Sequence, residues 1–393
     1  MKILLVTDLY PLFEGEAGIP LTIRDFALGF KTLGHEVFVF RPNFMFNTFL
    51  RKRETYKGGI YENDGIKIYN KNFILPFKKE SVLKVYEKYI LPLGKIPETV
   101  NMDNFDIILG HMPSGVMCAD IIAKKYNIPM LLAVHSSDIK VMTDFKYAMF
   151  KERMISAYRR ANCILPRSFW LKDKIRKIIP DLKRPVEIIY SGVPYQYTKK
   201  NEDKILNGSG RKFNPKKAKI LTVASLIKRK NIKTLILAYR KLKKKHKGIT
   251  LEIIGDGKLK QDFEILNIKY GLNIKMPGHL EKDKILEKMQ EADIFVLPSK
   301  NETFGMAYME ALASGMVVCC SKNSGIDGII NDGENGYTLK PTARGVYDAL
   351  NKILNLKPKQ LLEISKNALV TSKMFSYENS VKNYLEKMEL FKL

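Results

Sequence analysis

The chain is poor in features that would each mark a particular class of protein. It has four cysteines among 393 residues, and none lies in a Cys-x-x-Cys pair. Sparse, unpaired cysteines argue against a disulfide framework and predict small buried side chains in a reducing compartment. No stretch approaches the roughly 20 apolar residues of a membrane-spanning helix. The apolar start, Met1–Asp8, is too short for a signal peptide and predicts a first strand.

Acidic residues are also scarce relative to basic ones. Aspartate and glutamate number 41 against 67 lysines and arginines, and the formal net charge is +26. Such an excess fits nucleic acid, an anionic membrane or a solvated lysine-rich surface. No zinc-finger spacing, RNP-type aromatic string or basic heptad region accompanies it, which disfavours nucleic acid. We expect a cytoplasmic protein, peripheral on the cytosolic face of a membrane.

Two further absences narrow the chemistry. The chain has no Gly-x-Gly-x-x-Gly, which argues against a dinucleotide dehydrogenase. It also has no Asp-x-Asp, a pair that commonly holds a divalent ion on a diphosphate. We therefore expect no cofactor and no metal.

What the chain does have is a regular alternation of strand-like and helix-like segments, which predicts parallel βαβ units. At 393 residues it is long enough for two domains. A polar, Gly- and Pro-containing stretch separates two such series, so we expect domains at 1–196 and 219–374, a linker at 197–218 and a final helix at 375–393. The predicted strands are Lys2–Thr7, Glu36–Phe40, Phe105–Leu109, Met130–Val134, Ile164–Pro166, Glu187–Tyr190, Ile220–Ala224, Thr250–Ile254, Ile274–Met276, Ile294–Leu297 and Val317–Cys320.

The most informative segment is Ser299–Gly315, which follows the predicted strand Ile294–Leu297. A strand, a polar loop and a helix opened by Gly305 place two carboxylates, Glu302 and Glu310, at the carboxyl end of a sheet. The helix N-terminus offers free backbone N–H groups and partial positive charge to a phosphate. Acids for sugar hydroxyls beside amides for phosphate predict a nucleotide-sugar site.

This segment resembles that of the retaining glycosyltransferases of family 4. Their pattern is a Glu, seven residues and a second Glu, after a Pro-Ser strand end and with Phe-Gly between; here these are Pro298-Ser299, Glu302, Phe304-Gly305 and Glu310. The resemblance implies the GT-B fold, with two Rossmann-like parallel-sheet domains facing across a cleft, and a final helix crossing back onto the first domain. It also implies that the first domain binds the acceptor and the second the donor.

The same resemblance assigns roles in the donor site. Glu302 would hold the sugar and Glu310 the ribose, with amides at Phe304 and Gly305 on the diphosphate. Lys230 would clamp the pyrophosphate. The family has an Arg where this chain has Ser225, so either Arg229 or Lys228 supplies that charge, or Lys230 and the amides suffice. The other donor contacts implied are Gly18, Gly255 and His279.

In the first domain, two histidines follow predicted strands. His111 lies in Gly110–Gly115, and His135 lies in a His-Ser-Ser-Asp loop. Similar transferases carry a catalytic His in a loop like that of His135, where it hydrogen-bonds the donor sugar or steadies transition-state charge. We expect His111 and Asp138 to bind the acceptor.

The segments 41–53 and 73–79 mix phenylalanines with cations, as interfacial membrane anchors do, although a buried loop with solvated lysines explains them equally well. The resulting hypothesis is a retaining hexosyltransferase that moves a hexose or N-acetylhexosamine from a nucleotide diphosphate sugar, UDP ahead of GDP. Its acceptor is a lipid-linked or polysaccharide intermediate of cell-envelope glycan synthesis. The alternatives are a nucleotide-sugar epimerase of the same fold and a non-catalytic membrane-associated subunit with a degraded donor site.

Overall fold

The computed structural model describes residues 1–16, 19, 22–46, 57–75, 100, 104–193, 201–202, 205–206, 212–326 and 328–392. These residues form two compact units. The first comprises residues 1–167, 171–189 and 381–393, and the second comprises residues 168–170 and 190–380. Each unit is a parallel sheet with helices between successive strands.

The first unit is built on a seven-stranded sheet of order β3-β4-β2-β1-β5-β6-β7. All neighbouring strands run parallel except β3, which pairs antiparallel with β4. Strands β5, β6 and β7 are apolar and fully buried, as expected for strands covered on both faces. Their bounds are β1 Lys2–Val6, β2 Glu36–Phe46, β3 Gly59–Asn63, β4 Ile66–Leu75, β5 Ile107–Gly110, β6 Met130–Val134 and β7 Cys163–Pro166.

Helices of the first unit follow the strands that they connect. The final helix of the chain also contributes to this unit from Val381 onward, where the Tyr384 ring packs edge-on against Phe26 with ring centroids 4.9 Å apart. The helices are α1 Thr22–Thr32, α2 Met112–Tyr126, α3 Ser136–Thr143, α4 Ala148–Arg160 and α5 Phe169–Ile178.

The second unit has a six-stranded, all-parallel sheet of order β10-β9-β8-β11-β12-β13. Its strands are β8 Lys219–Val223, β9 Thr250–Ile254, β10 Lys275–Gly278, β11 Ile294–Leu297, β12 Val317–Ser321 and β13 Tyr337–Leu339. Its helices are α6 Ile232–Lys245, α7 Lys260–Tyr270, α8 Lys282–Glu291, α9 Met306–Ala313, α10 Ala343–Leu354, α11 Pro358–Met374 and the start of α12, Tyr377–Phe391.

Both sheets contain a point where the direction of the strand order reverses. In the first unit it lies between β1 and β5, and in the second between β8 and β11. Open α/β sheets bind ligands at such switch points, in the crevice beyond the carboxyl ends of the strands. The loops after β1, β5, β8 and β11 therefore define where a site is expected in each unit.

One sequence prediction about the backbone was wrong. Glu187–Tyr190 is not a strand: this segment makes two hydrogen bonds along β7, and only Val186 forms an isolated bridge, with Ile164. The β3–β4 pair and the short β13 were not predicted at all.

The prediction of unpaired, buried cysteines was confirmed. All four cysteines are free and buried. Among the described residues, no helix is long and apolar enough to cross a membrane.

Candidate active site

In the second unit, three charged side chains meet where β8 and β11 end. The turn Lys228–Lys230 follows β8, and Glu302 lies in the loop after β11. Arg229 Nη1 donates to Glu302 Oε1 at 2.9 Å, and Lys230 Nζ pairs with Glu302 Oε2. One carboxylate is thus held between two cations at the switch point of the sheet.

Burial and charge act in opposite directions on Glu302. Only 5% of its side chain is exposed, so desolvation by itself would raise its pKa. The charges and hydrogen bonds of Lys230 and Arg229 outweigh this effect, and the pKa of Glu302 lies below its usual value. Glu302 is therefore a fixed, ionised acceptor of hydrogen bonds.

Asn231 fixes the turn that carries these cations. It takes the left-handed conformation, with φ of 57°, which asparagine tolerates better than most residues. Its amide donates to the carbonyls of Pro298 and Pro341 at 3.1 and 3.0 Å. Lys300 N also donates to Arg229 O at 2.8 Å, so the turn and the loop after β11 form one rigid piece.

Gly305 begins α9 directly after this cluster. Its φ is 86°, and a Cβ there would lie 2.5 Å from the Tyr308 ring, so a larger residue would strain the turn. Gly325 N donates to Glu302 O at 2.8 Å, and a Cβ on Gly325 would lie 2.1 Å from Thr303 O. Glycine at both positions lets two loops close around the first turn of α9, where Phe304 is buried.

Glu310 lies near the middle of α9 and is half-buried. Desolvation raises its pKa to about 6, and the charge of Lys282 only partly opposes that shift. Unlike Glu302, it has no carboxylate hydrogen bond or salt bridge with the described residues. A carboxylate without an internal partner is suited to accept hydrogen bonds from a ligand.

The remaining predicted donor residues of this unit lie on neighbouring loops. Ser225 is exposed after β8 and is uncharged. The positive charge beside Glu302 comes from Arg229 instead. Gly255 packs so closely against the loop after β8 that a Cβ would lie 2.0 Å from Ala224 O. Close packing therefore explains why glycine is needed at this position. His279 is exposed directly after β10.

A groove of about 840 Å³ runs beside the charged cluster. Its floor is apolar, formed by residues such as Ile232 and Phe263, and its rim carries Lys228, Arg229 and Lys233. Pockets of this size hold nucleotide-sized ligands. The Arg229 side chain, 43% exposed, is therefore open to a ligand as well as bound to Glu302.

In the first unit, His111 stands at the carboxyl end of β5. It is the N-cap residue of α2, and its backbone N–H donates to Val6 O at 2.9 Å. A Cβ on Gly115 would lie 2.3 Å from Val6 O, so the glycine allows α2 to approach β1 closely. This places His111 at the switch point between β1 and β5.

His135 takes the matching place after β6 and contacts His111. The two rings are joined by a hydrogen bond of 3.1 Å between His111 Nδ1 and His135 Nε2. Asp138 lies under His135 and accepts a 2.6 Å hydrogen bond from its backbone N–H. The sequence predicted these three residues as site residues, and the structure brings them together, with Asp138 fully buried.

Burial favours the uncharged forms of these three side chains. Desolvation, with the charge of Arg167 adding to it, lowers the pKa of His111 to about 3 and that of His135 well below its usual value. Desolvation likewise raises the pKa of Asp138 well above its usual value. Neutral imidazoles donate or accept single hydrogen bonds and carry no charge at pH 7.

Arg167 was missed by sequence reasoning. It follows β7 directly, at the same edge of the sheet as the two histidines. The signal was present, since Ile164–Pro166 was predicted as a strand and the residue after a parallel strand lies at the ligand-binding edge.

Some of the other predicted residues lie outside the described part of the chain or away from these clusters. Gly18 is outside the described residues. Of the two explanations of segment 41–53, burial is favoured at its start, because Arg41 lies in β2, is buried and is paired with Glu16 at 2.9 Å. Asn47–Arg53 and 76–79 lie outside the described residues. Within the described part of the chain, no group of three or more His, Cys, Asp or Glu side chains is arranged to hold a metal ion.

Comparison with known proteins places this geometry in a class. Residues 17–197 match the family described as Glycosyltransferase Family 4, and residues 207–370 match Glycosyl transferases group 1. Two parallel-sheet α/β domains of this kind define the GT-B fold of glycosyltransferases. The chain belongs to the family 4, or group 1, glycosyltransferases.

One relative and two solved structures of the same fold are similar to this chain. The α-monoglucosyldiacylglycerol synthase of Acholeplasma laidlawii is 25% identical over 96% of this chain and 94% of its own length. The sucrose-phosphate synthase of Thermosynechococcus elongatus is 17% identical, with a TM-score of 0.74 over 99% of this chain and 98% of that one. Anabaena HepE, solved with UDP-glucose, is 16% identical, with a TM-score of 0.66 over the whole of both chains.

Proposed function

We propose that this glycosyltransferase moves a hexosyl group from a UDP-sugar to a lipid-linked or polysaccharide acceptor, with retention of anomeric configuration and without a metal. The observation that carries the proposal is the carboxylate of Glu302, held by Arg229 and Lys230 beside the N-terminus of α9. UDP-glucose bound to HepE and the lipid product named for the Acholeplasma relative support the choice of donor and acceptor class.

The diphosphate would lie against the start of α9. Backbone N–H groups at Phe304 and Gly305, the helix dipole and the Lys230 ammonium would balance its charge as it leaves. Lys230 pairs with Glu302, so donor binding would share that cation between the carboxylate and the phosphate. Gly18 would add a backbone amide from the first domain.

The sugar and ribose would be held by two carboxylates of different character. Glu302, ionised and nearly buried, would accept hydrogen bonds from sugar hydroxyls and steady the cationic character that develops at the anomeric carbon. Glu310, with a pKa of about 6, would accept those of the ribose. Ser225, Gly255 and His279 would line the nucleoside.

In the first domain, His135 would act as a neutral hydrogen-bond partner of the donor sugar, because its pKa is far below 7. His111, bonded to its ring, and Asp138, bonded to its backbone N–H, would set its orientation, and His111 would face the acceptor. The acceptor oxygen then bonds the anomeric carbon on the face from which the diphosphate departs, and its proton passes to the departing phosphate.

Donor binding is tested most directly with UDP-glucose, UDP-N-acetylglucosamine and GDP-mannose by thermal stabilisation, with and without EDTA. Saturation at 100 times Kd stabilises a protein by about 2.7 kcal/mol. Stabilisation by a UDP-sugar that EDTA leaves unchanged is expected. Release of UDP with transfer of the α-linked sugar to an acceptor, read by NMR, completes the test; interconversion of the donor without acceptor would identify an epimerase instead.

The pH dependence of UDP-glucose binding isolates Glu310, because the diphosphate of this donor is a diester that does not titrate between pH 5 and 8. Protonation of Glu310 below about pH 6 removes a charged acceptor, so affinity should fall several-fold from pH 7.5 to pH 5. Glu310→Gln should bind weakly at both values. The exposed Glu363→Gln is the control; an unchanged pH profile in Glu310→Gln would contradict the ribose assignment.

A further inference from the structure

Three neighbouring strands of the first sheet are each followed by a nitrogen-bearing side chain at the carboxyl edge. β5 leads to His111, β6 to His135 and β7 to Arg167. Val134 pairs with Pro166 in the parallel register, so His135 and Arg167 occupy equivalent places one residue beyond paired strand ends. Adjacent parallel strands lie about 4.8 Å apart, which puts the start of the Arg167 side chain beside His135.

The guanidinium of Arg167 has no internal counter-charge. No hydrogen bond or ion pair joins it to another described residue, and the group that acts on its charge is the Tyr384 hydroxyl. It is half-buried, and desolvation lowers the pKa of Arg167, although it stays charged at neutral pH. Removing an unpaired cation from water is unfavourable, and proteins keep such a group mainly where a ligand supplies the opposite charge.

A second unsatisfied group lies in the same cluster. His111 Nε2 is buried and has no hydrogen-bond partner among the described residues. When His135 Nε2–H donates to His111 Nδ1, the Nε2 of His111 carries a proton that it can give to an incoming oxygen.

The acidic side chains nearby do not compete for Arg167. Burial raises the pKa of Asp138 well above its usual value, and its Oδ2 accepts a hydrogen bond from the His135 backbone N–H. Its charge is not among those that act on Arg167. Asp8, after β1, acts electrostatically on Asp138 and Cys118. The carboxyl edge of the first sheet therefore offers two groups to one ligand: the charged guanidinium of Arg167 and the neutral imidazole N–H of His111.

We infer that Arg167 and His111 form a site for a phosphate group. A guanidinium offers parallel N–H donors that match two phosphate oxygens, and the imidazole N–H adds a third donor. The inference deepens the proposed function and rests on it for the identity of the ligand. The phosphate belongs either to an acceptor, such as a phospholipid or phosphorylated glycan, or to the diphosphate of the donor.

The two sources are separated by measuring binding to the purified full-length chain by calorimetry at low salt. Glycerol 3-phosphate, with glycerol as its uncharged control, stands for an acceptor phosphate, and UDP-glucose stands for the donor. Arg167→Gln removes the charge and the fork, while Arg167→Lys keeps the charge alone. Arg160→Gln, on the exposed side of α4, is the matched control.

Arg167→Gln should weaken binding of one probe about tenfold or more, Arg167→Lys less, and Arg160→Gln not at all. Loss confined to glycerol 3-phosphate identifies an acceptor phosphate, and loss confined to UDP-glucose identifies the donor. Ligand-free Arg167→Gln should melt no lower than wild type, because the cation it removes is unpaired; a purely structural arginine would give a lower melting temperature.

Equal affinities of wild type and both Arg167 variants for every probe, or no binding of any phosphate probe by wild type, would overturn the inference. Failure of the proposed function is a different result: UDP-glucose neither binds nor is consumed, while glycerol 3-phosphate still binds in an Arg167-dependent manner.

Discussion

The carboxyl edges of the two sheets use the same topology and opposite electrostatics. In the second unit, Glu302 is nearly buried yet ionised, because Arg229 and Lys230 pair with it. In the first unit, His111 and His135 are buried without an acidic partner and are neutral, because desolvation is not offset. The difference teaches that burial alone does not determine the charge state of a side chain. An oppositely charged partner within hydrogen-bond distance decides whether a buried group stays ionised.

The largest expected effect comes from removing the charge at the centre of the second edge. Glu302→Gln leaves Arg229 and Lys230 without their counter-charge and removes the acceptor proposed for the sugar. Transfer should fall about 100-fold or more, measured as kcat/KM for the UDP-sugar.

Glu363→Gln, an exposed residue of α11, controls for loss of an acid as such. Activity of Glu302→Gln within a few-fold of wild type would mean that the paired edge is a structural feature, and the contrast with the first edge would lose its functional meaning.

A smaller effect is expected from removing the charge of Arg229 and restoring a positive charge at position 225, at the carboxyl edge of the second sheet. Arg229→Gln should lower kcat/KM about tenfold, because the remaining Lys230 still pairs with Glu302. Adding Ser225→Arg to Arg229→Gln should recover part of that loss, since it restores the arginine at the position where the family pattern has one.

The test compares kcat/KM of Arg229→Gln with that of the double variant under the same conditions. No recovery in the double variant, while Arg229→Gln alone is impaired, would show that Arg229 acts only from its own position. Full activity of Arg229→Gln would remove Arg229 from the donor site.

The smallest effect concerns stability of the neutral edge. Folded His111 takes up a proton only near pH 3, whereas an unfolded histidine does so near pH 6.5. The unfolded state therefore binds more protons in between, and stability falls as pH drops below about 6.5. His111→Gln should narrow the difference in melting temperature between pH 7.5 and pH 5 by a few degrees.

Replacing the exposed His279 with Gln should leave that difference as it is in wild type. An unchanged difference in His111→Gln would mean that folding does not lower the pKa of His111, because some partner offsets its desolvation. The two edges would then be alike.

Much of this arrangement follows from local sequence. Glu302, Gly305 and Glu310 were predictable because an apolar strand, a polar loop and a helix start occur in succession within about 20 residues. His111 and His135 were predictable as strand-end residues, but their mutual hydrogen bond was not, since it depends on β5 and β6 being neighbours. For Arg41 the sequence left a membrane contact and a buried position open; it is buried against Glu16, because β2 runs beyond its apolar core to Phe46.

The sequence alternates between short apolar segments and segments with helical periodicity. This alternation determined two parallel sheets and the positions of the loops that follow their strands, because each signal is contained within a few residues. Only the tertiary structure decided which loops meet. The pairing of Arg229 with Glu302 spans 73 positions in sequence, and the approach of Arg167 to the histidines depends on strand order. Charge states were decided at the same level, since the pKa of a side chain depends on its desolvation and its neighbours in space.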